Sequence, residues 1–315
     1  MSIASMSGLT VKLGSPFPEG TAWDATLKRI AAEWRTISDG KVRMNVYPGG
    51  VAGNEDDMIR KMRIGQLDAA VFTIFGMKKI VPNSFVMALP GILESEDELD
   101  FAIKEFAPRF DEDFINQGFH VLAWSKTGWA NFFTASPART PQLMRKEKLS
   151  ISNTDSELAA NFKALKFNVV PMAINEVIVA LQSGMATATY GPPLAAAAYQ
   201  WFSQVPFMLD YKLAPVMGGI VISERTWRRI PQEYRKGLKA AIETAADDFH
   251  IESERLNKEA MHVMKEHGLK IINLSEQEIQ DWIKVFTDGH ALLIGQWIDE
   301  EVYRDFINGL KKMRN

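Results

Sequence analysis

The sequence predicts an α/β fold made of two similar domains. Its 315 residues exceed the size at which a single core usually stops growing, about 250–300 residues. Strand-like and helix-like segments alternate along the chain, which is typical of a parallel sheet, and the same plan occurs twice. Hydrophobic residues make up 46% and charged residues 24% of the chain, a composition that excludes disordered and collagen-like proteins.

The first copy of the plan is a strand, helix, strand, helix and strand near the amino terminus. Apolar residues at helical spacing predict its helices, and alternation of apolar and polar residues predicts its second strand. In order, the segments are Leu9–Leu13, Thr21–Ile37, Val42–Tyr47, Asn54–Ile64 and Leu67–Phe72. Gly65 is expected to end the second helix, because glycine tolerates the left-handed backbone of a helix cap.

The second copy follows the same order. Its segments are Leu149–Ile151, Asp155–Lys166, Phe167–Pro171, Asn175–Ser183 and Ala186–Tyr190. The copies also share short stretches, since Met44–Pro48 is similar to Phe167–Pro171, and Gly65–Ala69 is similar to Gly184–Ala188. The repeat therefore favours two related α/β domains over one large sheet.

Three further segments are expected to join the domains. Phe119–Trp124 and Val216–Ile222 are predicted strands, and Gln232–His267 is a predicted helix of ~50 Å, longer than one small domain. The chain from Ser275 onward is predicted to be helical and amphipathic. These crossings give a first domain of residues 1–125 and 214–253 and a second domain of residues 126–213 and 254–315.

Composition and motifs exclude several classes of function. Lys and Arg total 36 against 39 for Asp and Glu, so the net charge of −3 argues against nucleic acid as a partner. The chain has no cysteine, its five histidines do not have metal-ligand spacing, and it has no nucleophile elbow or phosphate-binding loop motif. We therefore predict no enzyme activity, no metal and no cofactor. A hydrolase that uses Ser150 or Ser152 is the enzymatic alternative, but no base stands near either serine in sequence.

Aromatic residues concentrate in loops that follow predicted strands. In α/β proteins these loops lie at the carboxyl edge of the sheet, where ligands bind. Core packing can explain any one of these residues, but together they indicate an apolar cleft. They are Phe17, Trp23, Phe75, Trp124, Trp129 and Tyr190.

Two longer motifs resemble a known family. Gly40–Gly50 followed by Arg63–Asp68, and later Val170–Gly184, are similar to the substrate-binding subunits of tripartite ATP-independent periplasmic (TRAP) transporters, of the DctP type. The resemblance covers nearly the whole chain. It implies a hinged protein of the periplasmic-binding-protein type, with a ligand cleft between its two domains and a long helix spanning both. It also implies a periplasmic receptor that delivers its ligand to an integral membrane permease, in some members with a tetratricopeptide-repeat lipoprotein as a further partner.

The sequence departs from that family where a ligand carboxylate would bind. The resemblance places arginine at Ser150, in Lys148–Ile151, and a second arginine near Ala130. It places acidic and amide side chains where Thr187–Pro192 stands, and phenylalanine at Ile174. A buried carboxylate without a charged partner is unfavourable by several kcal/mol. We therefore expect a hydrophobic or amphipathic ligand.

Two alternatives stay open for the ligand and its site. A small carboxylate could be held by a non-standard cation such as Lys126, Arg139 or Arg145, or the chain could be a partner-dependent scaffold with a vestigial cleft. The complete set of predicted ligand-binding residues is Phe17, Trp23, Thr73, Phe75, Trp124, Trp129, Ala130, Ser150, Ile174, Tyr190, Gly191 and Met217. Residues 1–8 lack the basic and apolar regions of a secretory signal, so we expect the native signal or lipoprotein segment to be absent from this sequence.

Overall fold

A computed structural model describes residues 8–152 and 155–315. The strands in these residues are β1 (Leu9–Gly14), β2 (Val42–Tyr47), β3 (Ala69–Thr73), β4 (Phe119–Thr134), β5 (Lys148–Ser152), β6 (Asn168–Met172), β7 (Ala188–Gly191), β8 (Phe207–Asp210), β9 (Ala214–Ser223) and β10 (Lys270–Asn273). The helices are α1 (Ala22–Ile37), α2 (Glu55–Ile64), α3 (Ile74–Ile80), α4 (Glu96–Asn116), α5 (Pro141–Met144), α6 (Ser156–Ala164), α7 (Val177–Gln182), α8 (Pro193–Ala198), α9 (Glu224–Arg229), α10 (Gln232–Glu266), α11 (Glu276–His290) and α12 (Glu300–Arg314). Every segment of both predicted copies is present, with bounds shifted by a few residues.

The chain forms two compact α/β units. Unit 1 comprises the chain as far as Phe85 together with Ile103–Lys126 and Met217–Glu252. Unit 2 comprises Val86–Ala102, Thr127–Val216 and Ser253–Asn315. The two-domain α/β prediction is confirmed. The segment Val86–Ala102 belongs to unit 2, whereas the sequence prediction placed it in the first domain.

The sheet of unit 1 has the strand order β2-β1-β3-β9-β4. β1 is parallel to β2 and β3, as the alternating pattern predicts, and β9 pairs antiparallel with β3. The core includes Val11, Leu13, Leu27 and Trp34, which are all essentially inaccessible to water. Such burial of large apolar side chains stabilises each by about 1.5–3 kcal/mol relative to exposure.

The sheet of unit 2 has the order β6-β5-β7-β4-β8-β10. β5 is parallel to β6 and β7, while β4 is antiparallel to β7 and β8. The sequence order β5-β6-β7 therefore builds the spatial order β6-β5-β7, in the same way that β1-β2-β3 builds β2-β1-β3 in unit 1. Each unit then adds an antiparallel strand, so the sequence repeat corresponds to a repeat of topology.

Residues at the two ends of α2 explain where this helix begins and ends. The side chain of Asn54 accepts a hydrogen bond from the amide of Asp57 at 2.9 Å, and the Asp57 carboxylate accepts one from the Asn54 amide. This reciprocal pair satisfies two amides that the first turn of α2 would otherwise leave open. Gly65 ends the helix with φ of 79°, a conformation that glycine adopts without strain.

Two elements differ from their predictions. β4 continues to Thr134, although the prediction ended at Trp124, so its second half belongs to unit 2. The helical tail predicted from Ser275 is two helices, α11 and α12, because the chain leaves helical geometry after His290. Among the described residues no helix is both long and apolar enough to cross a membrane. The predicted absence of a signal at the amino terminus concerns mainly residues 1–7, which lie outside the described residues.

Candidate ligand-binding residues in each unit

Phe17 and Trp23 follow β1 in unit 1 and lie in a stack of aromatic rings. The ring centroids of Phe17 and Trp23 are 5.2 Å apart, and Trp23 stacks on Phe249 of α10 at 4.0 Å. Trp23 is only 6% exposed and belongs to the core, whereas Phe17 is half-buried. Phe17 therefore offers ring surface to a solute, and Trp23 holds that ring in position.

Thr73 lies where β3 ends, and a buried carboxylate holds this corner. The Glu55 carboxylate accepts hydrogen bonds from the Thr73 amide at 2.6 Å and from the Thr73 hydroxyl at 3.0 Å. Burial raises the pKa of the Glu55 carboxyl, and the two Thr73 hydrogen bonds act in the opposite direction. A Cβ on Gly76 would lie 2.5 Å from Glu55 Oε1, so only glycine leaves room for the carboxylate there.

Phe75 stands beside this corner, in the first turn of α3. Its half-buried ring is tilted against Phe85, with centroids 5.8 Å apart. The ammonium group of Lys78 lies 5.6 Å from the Phe75 centroid and 4.7 Å from the Phe85 centroid. Phe75 is thus part of an aromatic pair with a cation over it, an arrangement that is electrostatically favourable.

Trp124 and Met217 make contacts that occupy them inside unit 1. The indole Nε1 of Trp124 donates a hydrogen bond to Asp111 Oδ1 at 2.9 Å, and its ring packs edge-on against Phe114. Burial raises the pKa of the Asp111 carboxyl. Met217 is buried. The Trp124 indole is therefore engaged by two residues of α4.

Ser150 lies in β5 of unit 2, at the position where the family resemblance places arginine. It is 2% exposed, and its hydroxyl donates a hydrogen bond to the Thr189 hydroxyl of β7 at 2.8 Å. Thr189 is equally buried. Two neutral hydroxyl groups thus satisfy each other where a charged side chain is expected, and buried polar groups are stable when they are paired in this way.

Tyr190 and Gly191 end β7 next to this hydroxyl pair. Burial raises the pKa of the Tyr190 phenol further above its ordinary value, which already leaves the group uncharged at physiological pH. At Gly191 a Cβ would lie 3.1 Å from the six-membered ring of Trp201. Trp201 is buried and stacks on Tyr199 with centroids 5.5 Å apart. The space that a side chain at position 191 would use is therefore filled by an indole ring.

Trp129 and Ala130 lie in the second half of β4. The Trp129 indole donates a hydrogen bond to Glu96 Oε1 at 2.5 Å, and the ammonium group of Lys212 lies 5.0 Å from the Trp129 ring. The carbonyl of Ala130 accepts a hydrogen bond from the amide of Leu213 at 2.9 Å. Lys212 is exposed. Unit 2 therefore places a cation close to Trp129, although Ala130 itself carries none.

Ile174 is more exposed than the other predicted residues. It is 53% exposed, in a short 3₁₀ turn before α7. Such an exposed apolar side chain is available for contact with a ligand or a partner, but a single one is common on protein surfaces.

The two alternative arginines are engaged elsewhere in unit 2. Arg139 donates to the Glu278 carboxylate at 2.7 Å and 3.0 Å, and this pairing lowers the pKa of Glu278 to about 2. Arg145 Nε donates to the Leu165 carbonyl at 3.0 Å, and its guanidinium lies over the Phe167 ring. Neither arginine contacts Ser150, so neither replaces the expected family arginine at that position.

Three residues that contact the predicted ligand-binding residues were not predicted from the sequence. A negative charge is favourable at the start of a helix, so the presence of Glu55 in the first turn of α2 was already explained by its local sequence. Its contact with Thr73 spans 18 positions. Nothing in the local sequence distinguishes Trp201 or Lys212, because both lie outside the strands and their contacts with Gly191 and Trp129 arise only in the folded chain.

Taken separately, each unit carries aromatic and neutral polar side chains at the ends of its parallel strands, on a shared topology. Two α/β units of shared topology are the architecture expected of a two-domain solute-binding receptor. Residues 13–292 match the family of bacterial extracellular solute-binding proteins, family 7. The match covers most of the chain, and the protein belongs to this family.

Several known proteins are similar to the chain. A solute-binding protein of Chromohalobacter salexigens is 24% identical over 265 residues, which are 83% of this chain and 77% of that protein. A TRAP periplasmic solute-binding protein of Xanthobacter autotrophicus, solved with bound β-D-galacturonate, has a TM-score of 0.83 at 16% identity and covers 96% of this chain and 99% of its own. Another from Desulfovibrio salexigens, solved with bound orotic acid, has a TM-score of 0.84 at 15% identity, with the same coverage. The resemblance to TRAP solute receptors is confirmed, and the chain is a receptor rather than an enzyme.

Proposed function

We propose that this receptor works in the periplasm, captures an amphipathic solute and delivers it to the membrane permease of a TRAP-type transporter. The observation that carries the ligand class is the buried hydrogen bond between Ser150 and Thr189. It places a buried pair of neutral hydroxyl groups where the family resemblance expects a carboxylate-binding guanidinium. Binding would then depend on aromatic and aliphatic contacts with few polar anchors, as in most small-molecule sites.

Three further features of the candidate residues support a ligand of low charge. Tyr190 carries an uncharged phenol, and Gly191 is covered by the indole of Trp201. In unit 1, the half-buried ring of Phe17 offers an apolar face. A carboxylate placed against these groups would lose its hydration without gaining an ion pair, which is unfavourable.

A small organic acid is the second candidate ligand. The receptors from Xanthobacter autotrophicus and Desulfovibrio salexigens were solved with galacturonate and orotic acid, which are both acids. In this chain the exposed ammonium group of Lys212, close to Trp129, is a non-standard cation that could take such a group. The candidates differ in charge, so they can be separated by experiment.

Capture is proposed to involve hinge motion. Each of β4, β9 and α10 contributes residues to both units, so the units are joined by continuous strands and a helix. Small changes of backbone angle at the ends of such elements are the usual source of hinge closure. Compaction on ligand addition, measured by X-ray scattering, tests this motion. A ligand that binds without compaction would favour the partner-dependent scaffold. The tetratricopeptide-repeat lipoprotein partner stays a prediction, to be tested by co-purification.

The first experiment identifies the ligand class. The protein is purified without refolding, and its bound molecules are measured by native mass spectrometry and again after organic extraction. The thermal midpoint is then measured with D-galacturonate and orotate, and with D-galactose as the uncharged counterpart of the first. A bound apolar molecule, with no stabilisation by either acid, is the expected result. Stabilisation by an acid that is lost in Lys212→Gln would establish the second candidate instead.

The second experiment places the ligand at Ser150. Ser150→Arg is expected to abolish binding of the extracted ligand, because a guanidinium would replace the neutral hydroxyl group. Ser203→Arg, at an exposed serine of unit 2, is the matched control and should bind normally. Ser150→Ala tests the site with less disturbance, and its folding is checked by circular dichroism. Unchanged affinity in folded Ser150→Arg would show that this residue does not line the site.

A further inference from the structure

Unit 1 has a surface groove that none of the predicted ligand residues enters. Its volume is about 230 Å³, and it lies between the end of α2, the start of β4 and the start of α9. Met62 and Phe119 form an apolar floor, because both are almost fully buried. A cavity of ~150 Å³ can already hold benzene, so this groove has room for a small ring with a polar group attached.

Unpaired donors surround this apolar floor. Arg63, Gln117 and Arg225 line the groove, and all three are exposed. Within residues 8–152 and 155–315 none of these three side chains has a hydrogen bond or an ion pair with another residue. The Arg63 guanidinium lies 5.3 Å from the Phe119 ring centroid, which holds it over the floor.

The groove contains no acidic lining residue that would neutralise the arginines. Arginine presents a planar fork of N–H groups that matches a carboxylate with two parallel hydrogen bonds. Two such groups over an apolar floor favour a ligand that has a carboxylate at one end and an apolar body at the other.

The walls of the groove are held by buried hydrogen bonds. The Asp68 carboxylate accepts hydrogen bonds from the Thr226 hydroxyl at 2.7 Å and from the Lys12 amide at 2.9 Å. The hydroxyl of Ser223, which lines the groove, donates to the Thr226 hydroxyl at 3.0 Å. Gly65 leaves room for the second arginine, since a Cβ there would lie 1.8 Å from Arg225 Nη2. These bonds hold Ser223, so this part of the groove wall is in place before any ligand arrives, which reduces the entropy lost on binding.

The groove is separate from the candidate solute residues of unit 1. Helix α2 begins at Glu55, which contacts Thr73, and its last turn carries Met62 and Arg63. Eight residues of α-helix correspond to ~12 Å. A molecule in the groove would therefore lie at the opposite end of α2 from the Thr73 corner.

We propose that this groove is a second binding site, specific for a small organic carboxylate. The guanidinium groups of Arg63 and Arg225 bind the carboxylate, Gln117 donates a further hydrogen bond, and the apolar body of the ligand packs on Phe119 and Met62.

Benzoate is the probe, because it combines a ring with a carboxylate, and benzyl alcohol is its uncharged counterpart. Binding to the full-length protein is measured by isothermal titration calorimetry and by ligand-observed NMR. Arg63→Gln and Arg225→Gln are each expected to weaken benzoate binding about tenfold or more, since each removes a charge-assisted hydrogen bond. Raising the ionic strength should weaken binding as well. Arg43→Gln, at an exposed arginine on β2 of the same unit, is the matched control and should leave the affinity unchanged.

The same titrations show whether benzoate has entered the solute site instead. Tyr190→Ala, which alters a proposed solute residue of unit 2, is expected to leave benzoate binding intact. Loss of binding in Tyr190→Ala, with normal binding in the double variant Arg63→Gln/Arg225→Gln, would overturn the proposal. Equal affinity for benzyl alcohol and benzoate would overturn it too, because the arginines would then play no part. Absence of benzoate binding at low salt would also refute the site.

Discussion

Acidification is expected to weaken the fold through one buried histidine. His290, at the end of α11 in unit 2, is 3% exposed. Its Nε2 donates a hydrogen bond to the Pro90 carbonyl at 2.8 Å, and its Nδ1 lies 3.2 Å from the Tyr303 hydroxyl. Burial lowers the pKa of His290 from 6.5 to about 4, although the Pro90 hydrogen bond acts in the opposite direction. The folded protein therefore holds this imidazole in its neutral form.

The sign of the effect follows from which state binds the proton. Between pH 6.5 and about 4 the unfolded chain protonates this histidine and the folded chain does not. The unfolded state is thus favoured as the pH falls through this window. The difference between the two pKa values corresponds to roughly 3 kcal/mol when the pH is below both. At pH 5 the loss relative to pH 7.5 is about 2 kcal/mol.

The measurement compares wild type with His290→Gln. Glutamine does not titrate, and its amide can still donate to the Pro90 carbonyl. The free energy of unfolding is measured in urea at pH 7.5 and pH 5.0 for both proteins, so contributions from other titrating groups cancel in the difference. Wild type is expected to lose about 2 kcal/mol more than the variant.

A matched control uses a histidine on the surface. His262 on α10 has a side chain that is 74% exposed, and His262→Gln controls for the loss of an imidazole at a position where burial does not act. If wild type and His290→Gln lose the same free energy between the two pH values, burial of the imidazole does not destabilise its charged form and the reasoning fails.

Substitutions at three further positions test the contacts of the candidate residues. Glu55→Ala should reduce the free energy of unfolding, measured in urea, by about 1–3 kcal/mol, because the part-buried Thr73 amide loses its acceptor. Glu55→Gln should reduce it less, and equal reductions would contradict this explanation. Trp124→Phe removes the indole donor to Asp111 and should destabilise unit 1 by about 1 kcal/mol without changing ligand affinity; a large loss of affinity would return Trp124 to the binding site. Gly191→Ala brings a Cβ to 3.1 Å from an indole ring and should cost about 1 kcal/mol, whereas a stabilised variant in thermal unfolding would show that the ring moves freely.

Much of the fold is predictable from local patterns. Alternation of polar and apolar residues gave β2, and helical spacing gave α1, because each pattern reports which face of one segment is buried. The long helix α10 was predicted from a stretch without proline between Pro231 and Gly268. The repeat was visible for the same reason, since both copies need the same order of strands and helices. The insertion of β9 beside β3 was not visible, because residues 69–73 pair with residues 218–222 and no local pattern links such distant segments.

The candidate ligand-binding residues were likewise predictable only in part. The sequence by itself determined which residue types were present, including a serine at position 150 where the family resemblance places arginine. Only the tertiary structure decided what those residues contact. Ser150 meets Thr189 across 39 positions, Gly191 meets an indole, and the Trp124 indole turns to Asp111. Local periodicity fixes the face on which a side chain lies, but its partner depends on strand order, which is set by packing between segments that are far apart in the chain.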